Sequence, residues 1–198
     1  MRRLLVATTN AGKLREIRTL LGGTAVDLLC LADLPALAAP DETGTTFAEN
    51  ARLKATYYAA HTGELTVAED SGLSIEGLAG EPGVHSARFL RPDATYAERF
   101  AEIERRLAGR PGRDRRAHFI CALAVADAEQ VRFETAGVVT GTIVPRPQGH
   151  GGFGYDPIFF YPPYGRTFAE VSETEKLAVA HRGQAFRACA EWLRSRAP

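Results

Sequence analysis

The chain reads as a mixed α/β protein containing a long β-hairpin, and three observations predict this. The opening runs from an apolar stretch, Leu4 to Ala7, through a polar loop into a helical repeat of Leu14, Ile17, Leu20 and Leu21. Capping signatures of the form Ser/Thr-x-x-Glu begin at Thr46, Thr95 and Ser172, each ahead of helical sequence. Ala117 to Val125 alternates Phe119, Cys121, Leu123 and Val125, which marks a long strand, and Val131 to Val144 reads as its neighbour.

Each element follows in order. Leu4–Ala7 is a short buried strand, and the helix after it stops at Gly22-Gly23. Pro35 and Pro40 break any helix between residues 31 and 45. The helix opened by Thr46 carries Phe47, Ala51, Lys54 and Tyr58 on one stripe, with Asn50 at its edge. A lysine on an apolar stripe either snorkels to water or faces an anion. Thr66-Val67-Ala68 is a short strand, expected to end at Glu69-Asp70-Ser71-Gly72 in a glycine turn. Phe100, Ile103 and Leu107 place a helix after Thr95, and Ile158-Phe159-Phe160 is a short strand. Ser172 caps a short helix bearing Lys176, and the last helix buries Phe186, Cys189 and Leu193 beside Trp192. No repeat, low-complexity segment or linker interrupts this order, so residues 1–198 are expected to form one domain.

Composition narrows the function. The 198 residues carry 24 basic and 24 acidic side chains, which disfavours a surface that tracks nucleic acid. The cysteines, Cys30, Cys121 and Cys189, are few and far apart, with no CxxC pair, so neither a disulfide framework nor a structural zinc site is expected. The apolar run after Arg2-Arg3 is too short for a signal peptide and no stretch reads as membrane-spanning, so a reducing cytoplasm is the expected location. The basic residues include only three lysines, Lys13, Lys54 and Lys176, and the asparagines are only Asn10 and Asn50. A chain that uses arginine for its generic cations keeps lysine either by chance or where a compact ammonium is required.

Several segments could carry chemistry. Thr8-x-Asn10-x-x-Lys13 stands at a helix start, where a phosphate can be met by backbone N–H groups, a hydroxyl, an amide and an ammonium. Asn10 could equally be a plain N-cap. Glu69-Asp70 offers adjacent carboxylates to a hard cation such as Mg2+, and Asp70 could also take a proton from an attacking water. A polar turn is the alternative. Asp41-Glu42 is a second acidic turn, nonspecific by itself. Gly149-x-Gly151-x-x-Gly154 matches the spacing of a dinucleotide-binding loop, but prolines precede it and no helix follows, so that reading fails. The glycines instead allow close approach to a flat ligand, with Phe153 and Tyr155 as stacking faces. A tight turn with two core aromatics is the plainer reading. His181-Arg182-Gly183 opens the last helix and could donate to a carbonyl on a base, or form a surface turn. No Walker A pattern occurs.

Taken together these segments resemble the inosine-triphosphate pyrophosphatase family, enzymes that remove damaged purine nucleotides. The resemblance rests on Thr8 to Lys13, Glu42 to Ala51, Asp70 to Leu73, Pro82 to Arg88, Gly151 to Pro157, Glu175-Lys176 and His181 to Gly183, in the family's order along nearly the whole chain. It implies an elongated mixed sheet flanked by helices, in two lobes with a cleft, and a homodimer dependent on Mg2+. It implies hydrolysis of ITP, dITP and XTP to the monophosphate and pyrophosphate. Carried over, Thr8, Thr9, Asn10, Ala11, Gly12, Lys13 and Lys54 bind the triphosphate. Asp70 is the general base and a metal neighbour, with Glu42 the second metal ligand and Glu69 and Asp41 weaker candidates. Ser71 contacts substrate, while Phe153, Gly154, Tyr155, Asp156, Lys176, His181 and Arg182 hold the base. Three positions depart from the family's usual residues: Glu69 for an aspartate, Thr9 for a glycine and Ala180 for a serine. The competing readings are a pyrophosphatase for dUTP or modified pyrimidines, and a nucleotide-binding protein without catalysis.

Overall fold

The computed structural model describes residues 2–110 and 112–196. Its regular elements are β1 (Arg2–Val6), α1 (Ala11–Leu21), β2 (Val26–Cys30), α2 (Phe47–Thr62), β3 (Leu65–Ile75), α3 (Tyr96–Leu107), β4 (Arg116–Ala126), β5 (Val131–Ile143), β6 (Phe159–Tyr161), β7 (Arg166–Thr167), α4 (Glu173–Val179) and α5 (His181–Arg194). The strands form a seven-stranded mixed sheet in the order β2-β1-β3-β4-β5-β6-β7. β1 lies parallel to both β2 and β3, whereas β5-β6 and β6-β7 are antiparallel. The expected α/β class and the β4-β5 hairpin are both present; its turn closes through the Asp127 N–H on the Gln130 carbonyl at 3.1 Å.

Capping decides where the helices begin. Thr46, Thr95 and Ser172 each accept the N–H of the glutamate three residues on, and each glutamate returns a bond to its cap. Asn10 caps α1 in the same way through the Lys13 N–H. Two strands depart from expectation. β2 is new: Val26 to Cys30 has no clear alternation, and its pairing with β1 is what makes it a strand. β3 does not stop at Ala68 but continues to Ile75, so Glu69-Asp70-Ser71-Gly72 lies inside a strand rather than in a turn. Gly72 is still required, because a Cβ there would stand 2.3 Å from the Ser86 hydroxyl and 2.7 Å from the Gly83 carbonyl.

The chain divides into two compact units, Met1–Asp70 with Cys121–Gly137 and His181–Pro198, and Ser71–Ile120 with Val138–Ala180. In the first, Leu4, Leu5 and Val6 of β1 are consecutive apolar residues because both faces of the strand are buried there. Leu4 and Val6 pack with Ile17, Leu21, Phe186 and Cys189 from α1 and α5, while Leu5 and Ala7 pack with the alanines of α2. Ala51, Ala55 and Ala59 meet Ala122, Ala124 and Ala126 of β4, small side chains that let the helix lie close to the sheet. In the second unit Leu73, Ile75, Ile103, Leu107, Phe119, Phe159 and Phe168 form the core.

Candidate active site

The first unit gathers the phosphate-type and metal-type residues. β1 ends at Val6 and delivers Thr8, Thr9, Asn10, Ala11 and Gly12 to the start of α1, with Thr9, Asn10 and Ala11 exposed. Asn10 uses its side-chain oxygen on the Lys13 N–H at 3.1 Å, so the capping reading holds for that atom. The Asn10 N–H meets the Thr8 hydroxyl at 3.2 Å, which tightens the turn before the helix.

α2 brings a second group to β3. Lys54 is on the buried stripe, and its ammonium donates to Glu42 Oε1 at 2.8 Å and to Asp70 Oδ1 at 3.0 Å. Of the two readings of a lysine on that stripe, the anion-facing one is observed. Burial works against its charge, but Asp70 and Glu42 outweigh that and raise its pKa. Asp70 Oδ2 accepts from the Asn50 amide at 3.3 Å, and Asn50 Oδ1 accepts the Gly44 N–H at 2.8 Å. The fully buried Asn50 therefore ties the Glu42-Thr43-Gly44 turn to the carboxylate of Asp70. A Cβ on Gly44 would stand 2.6 Å from Asn50 Oδ1, so this contact needs glycine. Asn50 was legible only as a scarce residue at the edge of a helical stripe; its contact to Asp70 is tertiary.

Glu42 and Asp70 thus converge on a single ammonium. Among the described residues no group of three or more His, Cys, Asp and Glu side chains is placed to hold a metal ion. Two carboxylates facing one point fit Mg2+, which commonly takes one or two protein carboxylates and completes its shell with waters and substrate phosphates. The weaker candidates separate from this pair. Asp41 is exposed, and Glu69 turns elsewhere.

Glu69 and Asp70 are consecutive residues of a strand, so their side chains leave opposite faces. Glu69 is 4% exposed and faces α1 and α5. It accepts from Arg182 Nε and NH2 at 3.0 Å each, from the Cys121 thiol at 2.8 Å, and pairs with the Lys13 ammonium at 3.0 Å. Arg182 also reaches Glu16 through NH1 at 2.7 Å. Burial alone would raise the Glu69 pKa, but Arg182 and Lys13 hold it well below the usual carboxylate range. The same burial, with Glu69 alongside, pushes the Cys121 thiol up. His181 and Arg182 are both buried at the first turn of α5, which excludes the surface-turn reading. In the sequence Glu16 is marked only by its place beside the apolar Ile17 on α1.

The second unit holds the flat-ligand residues. Asp156 is buried and accepts the Phe153 N–H at 2.9 Å and the Lys176 ammonium of α4 at 2.6 Å. That ammonium also stands 4.6 Å from the centre of the Phe153 ring. Phe153 and Gly154 are half-buried, as is Ser71. Tyr155 departs from expectation: its ring is 4% exposed, packed by Tyr96 and Phe100, with its hydroxyl donating to the Ser86 carbonyl at 2.9 Å. Burial pushes its phenol pKa up. It is a core aromatic that fixes the loop, whereas Phe153 keeps a partly exposed ring.

The profile of the Ham1 family matches residues 4–192. A dITP/XTP pyrophosphatase of Gloeobacter violaceus is 49% identical over 187 residues, covering 94% of this chain and 92% of that protein. A dITP/XTP pyrophosphatase of Shigella flexneri is 42% identical over 197 residues, covering 98% and 100%. The structure of a HAM1 protein from Coxiella burnetii superposes with a TM-score of 0.88 at 37% identity, covering 98% of this chain and all of that one. Similarity at this level along the whole length, on a site whose residues lie in the order described, establishes that the chain belongs to the Ham1 family.

Proposed function

We propose that this protein, acting as a single domain, hydrolyses non-standard purine nucleoside triphosphates, ITP, dITP and XTP, to the monophosphate and pyrophosphate. The observation that carries the reading is the placement of Asp70 on Lys54, Asn50 and the Glu42 turn, in a chain similar along its length to dITP/XTP pyrophosphatases. Thr8 to Lys13 and Lys54 take the triphosphate, and Ser71 contacts substrate beside Asp70. Glu42 and Asp70 would hold Mg2+, which when bound would supply charge neutralisation to the triphosphate. Asp70, which accepts from Lys54 and Asn50, receives the proton of the water that attacks the α-phosphorus. Lys13 and Lys54 stabilise the charge gathered by the departing pyrophosphate from fixed positions.

Phe153 stacks on the base, and Gly154, Tyr155 and Asp156 form the loop that carries it. Lys176, His181 and Arg182 are base-binding residues, and His181, Arg182 or a backbone N–H donates to the oxygen at purine position 6, where adenine presents an amine. A site that would leave buried donors unpaired on adenine can discriminate by large factors, up to roughly 10⁴-fold. The protein works as a homodimer in the reducing cytoplasm, and its three free cysteines, all buried, suit that compartment. No helix among the described residues is long and apolar enough to cross a membrane. The balanced charge gives no reason to expect nucleic acid as a partner.

The test is pyrophosphate release from ITP, XTP, GTP, ATP and dUTP, with Mg2+ and with chelator. Mg2+-dependent release from ITP and XTP with little from ATP is the expected result. Turnover of dUTP alone would move the base assignment to a pyrimidine, and binding of ITP without turnover on any substrate would make this a nucleotide-binding protein.

A further inference from the structure

We propose that Glu69 is a positioning residue that sets Lys13 and Arg182 together, and that it is not a ligand of the metal. The inference rests on the reading above in which Lys13 contacts phosphate and Arg182 the base. Three features of the structure carry it. Glu69 and Asp70 leave opposite faces of β3, so a cation seated on Asp70 and Glu42 is approached from the α2 side, whereas the Glu69 carboxylate faces α1 and α5. Both oxygens of Glu69 are engaged by cations: Oε1 by Lys13 at 3.0 Å and by Arg182 NH2 at 3.0 Å, and Oε2 by Arg182 Nε at 3.0 Å. The Cys121 thiol adds a further donor to Oε2 at 2.8 Å.

One buried anion is therefore shared by an ammonium from the first turns of α1 and a guanidinium from the first turn of α5. A bidentate carboxylate fixes the plane of a guanidinium, which a single point contact does not. Glu16 at 2.7 Å from NH1 completes that fixation from α1. Lys13 and Arg182 are like charges held near each other, and the negative charge of Glu69 is what permits their proximity. Neutralising it releases both groups at once, which is why a change at Glu69 acts on nucleotide binding rather than on the metal.

The experiment is a calorimetric titration with the α,β-methylene analogue of ITP, which cannot be cleaved between those phosphates, in chelator and again in Mg2+. Wild type is compared with Glu69→Gln, Lys13→Ala, Arg182→Ala and the Lys13→Ala/Glu69→Gln double variant. Glu69→Gln should weaken metal-free binding roughly tenfold or more, while the further gain from adding Mg2+ stays as in wild type. The double variant should lose less than the product of the two single losses, because Glu69 acts through Lys13. Normal metal-free binding with the Mg2+ gain abolished would make Glu69 a metal ligand and overturn the proposal. Additive losses, or no loss at Glu69→Gln while Lys13→Ala and Arg182→Ala both weaken binding, would overturn it as well. Normal binding by both Lys13→Ala and Arg182→Ala would remove the substrate roles beneath it, a failure distinct from the others. If Glu69→Gln does not fold, Glu69→Asp carries the test: it keeps the charge on a shorter arm and should weaken metal-free binding in the same direction by a smaller factor.

Discussion

The three lysines share one fate. Lys13 ends on Glu69, Lys54 on Glu42 and Asp70, and Lys176 on Asp156, all within 3.0 Å. None of these carboxylates is more than about a third exposed, and Glu69, Asp70 and Asp156 are buried. Among 24 basic side chains this is a narrow use of lysine. It favours the reading that a compact, rotatable ammonium is needed, since Lys54 must serve two carboxylates from two segments and Lys176 must reach Asp156 while lying over Phe153. Replacing each by arginine should therefore cut turnover of ITP at all three positions, read as kcat/KM; three near-normal enzymes would return the lysines to chance. Asp70→Asn keeps the shape and the acceptor facing Lys54 but removes the proposed base. Turnover should fall by roughly 10²–10⁴-fold in a protein that still folds, and a near-normal rate would take Asp70 out of the chemistry.

At the scale of elements, β3 carries Glu69, Asp70 and Ser71 and changes its neighbours along its length. Thr66, Val67 and Ala68 are packed in the first unit, Glu69 and Asp70 present charge to its two faces, and Leu73 and Ile75 enter the core of the second. The turn expected at Gly72 is absent because the glycine answers a different demand. The segment Gly83–Arg88 crosses it closely, with the Ser86 hydroxyl accepting the Leu73 N–H at 2.9 Å and donating to the Gly83 carbonyl at 2.6 Å. Gly72→Ala forces the Ser86 hydroxyl and the Gly83 carbonyl away, an overpacking cost of ~1–3 kcal/mol. Thermal melting of this variant should show a clear loss of stability, and an unchanged midpoint would mean that the Gly83–Arg88 segment yields freely. Capping boxes, by contrast, were fully readable, since cap and glutamate are three residues apart and need no tertiary partner.

For the molecule as a whole, the sheet order puts β1 between β2 and β3 and makes consecutive neighbours of β4, β5, β6 and β7, with β5-β6 and β6-β7 antiparallel. The proposed homodimer is tested by mass. Sedimentation at micromolar concentration should give twice the 21.4 kDa chain mass, and a species of single-chain mass at that concentration would contradict it.

Local signals determined much of this protein from sequence alone. Strand and helix periodicity gave the α/β class, caps placed the helix starts, and the set of short motifs gave the family and named the carboxylates, lysines and aromatics of the site. Those signals act over three or four residues, or repeat along a single element, so they survive in one dimension. Tertiary structure alone decided how the named residues divide. It made Val26–Cys30 a strand through pairing with β1, buried Tyr155 in the core, brought Asn50 onto Asp70 and Glu16 onto Arg182, and sent Glu69 and Asp70 to opposite faces of one strand. Each of those outcomes depends on a partner distant along the chain, or on whether the chain stays extended through Gly72. No spacing within the sequence encodes which of two adjacent carboxylates faces the cations of α1 and α5 and which faces Lys54.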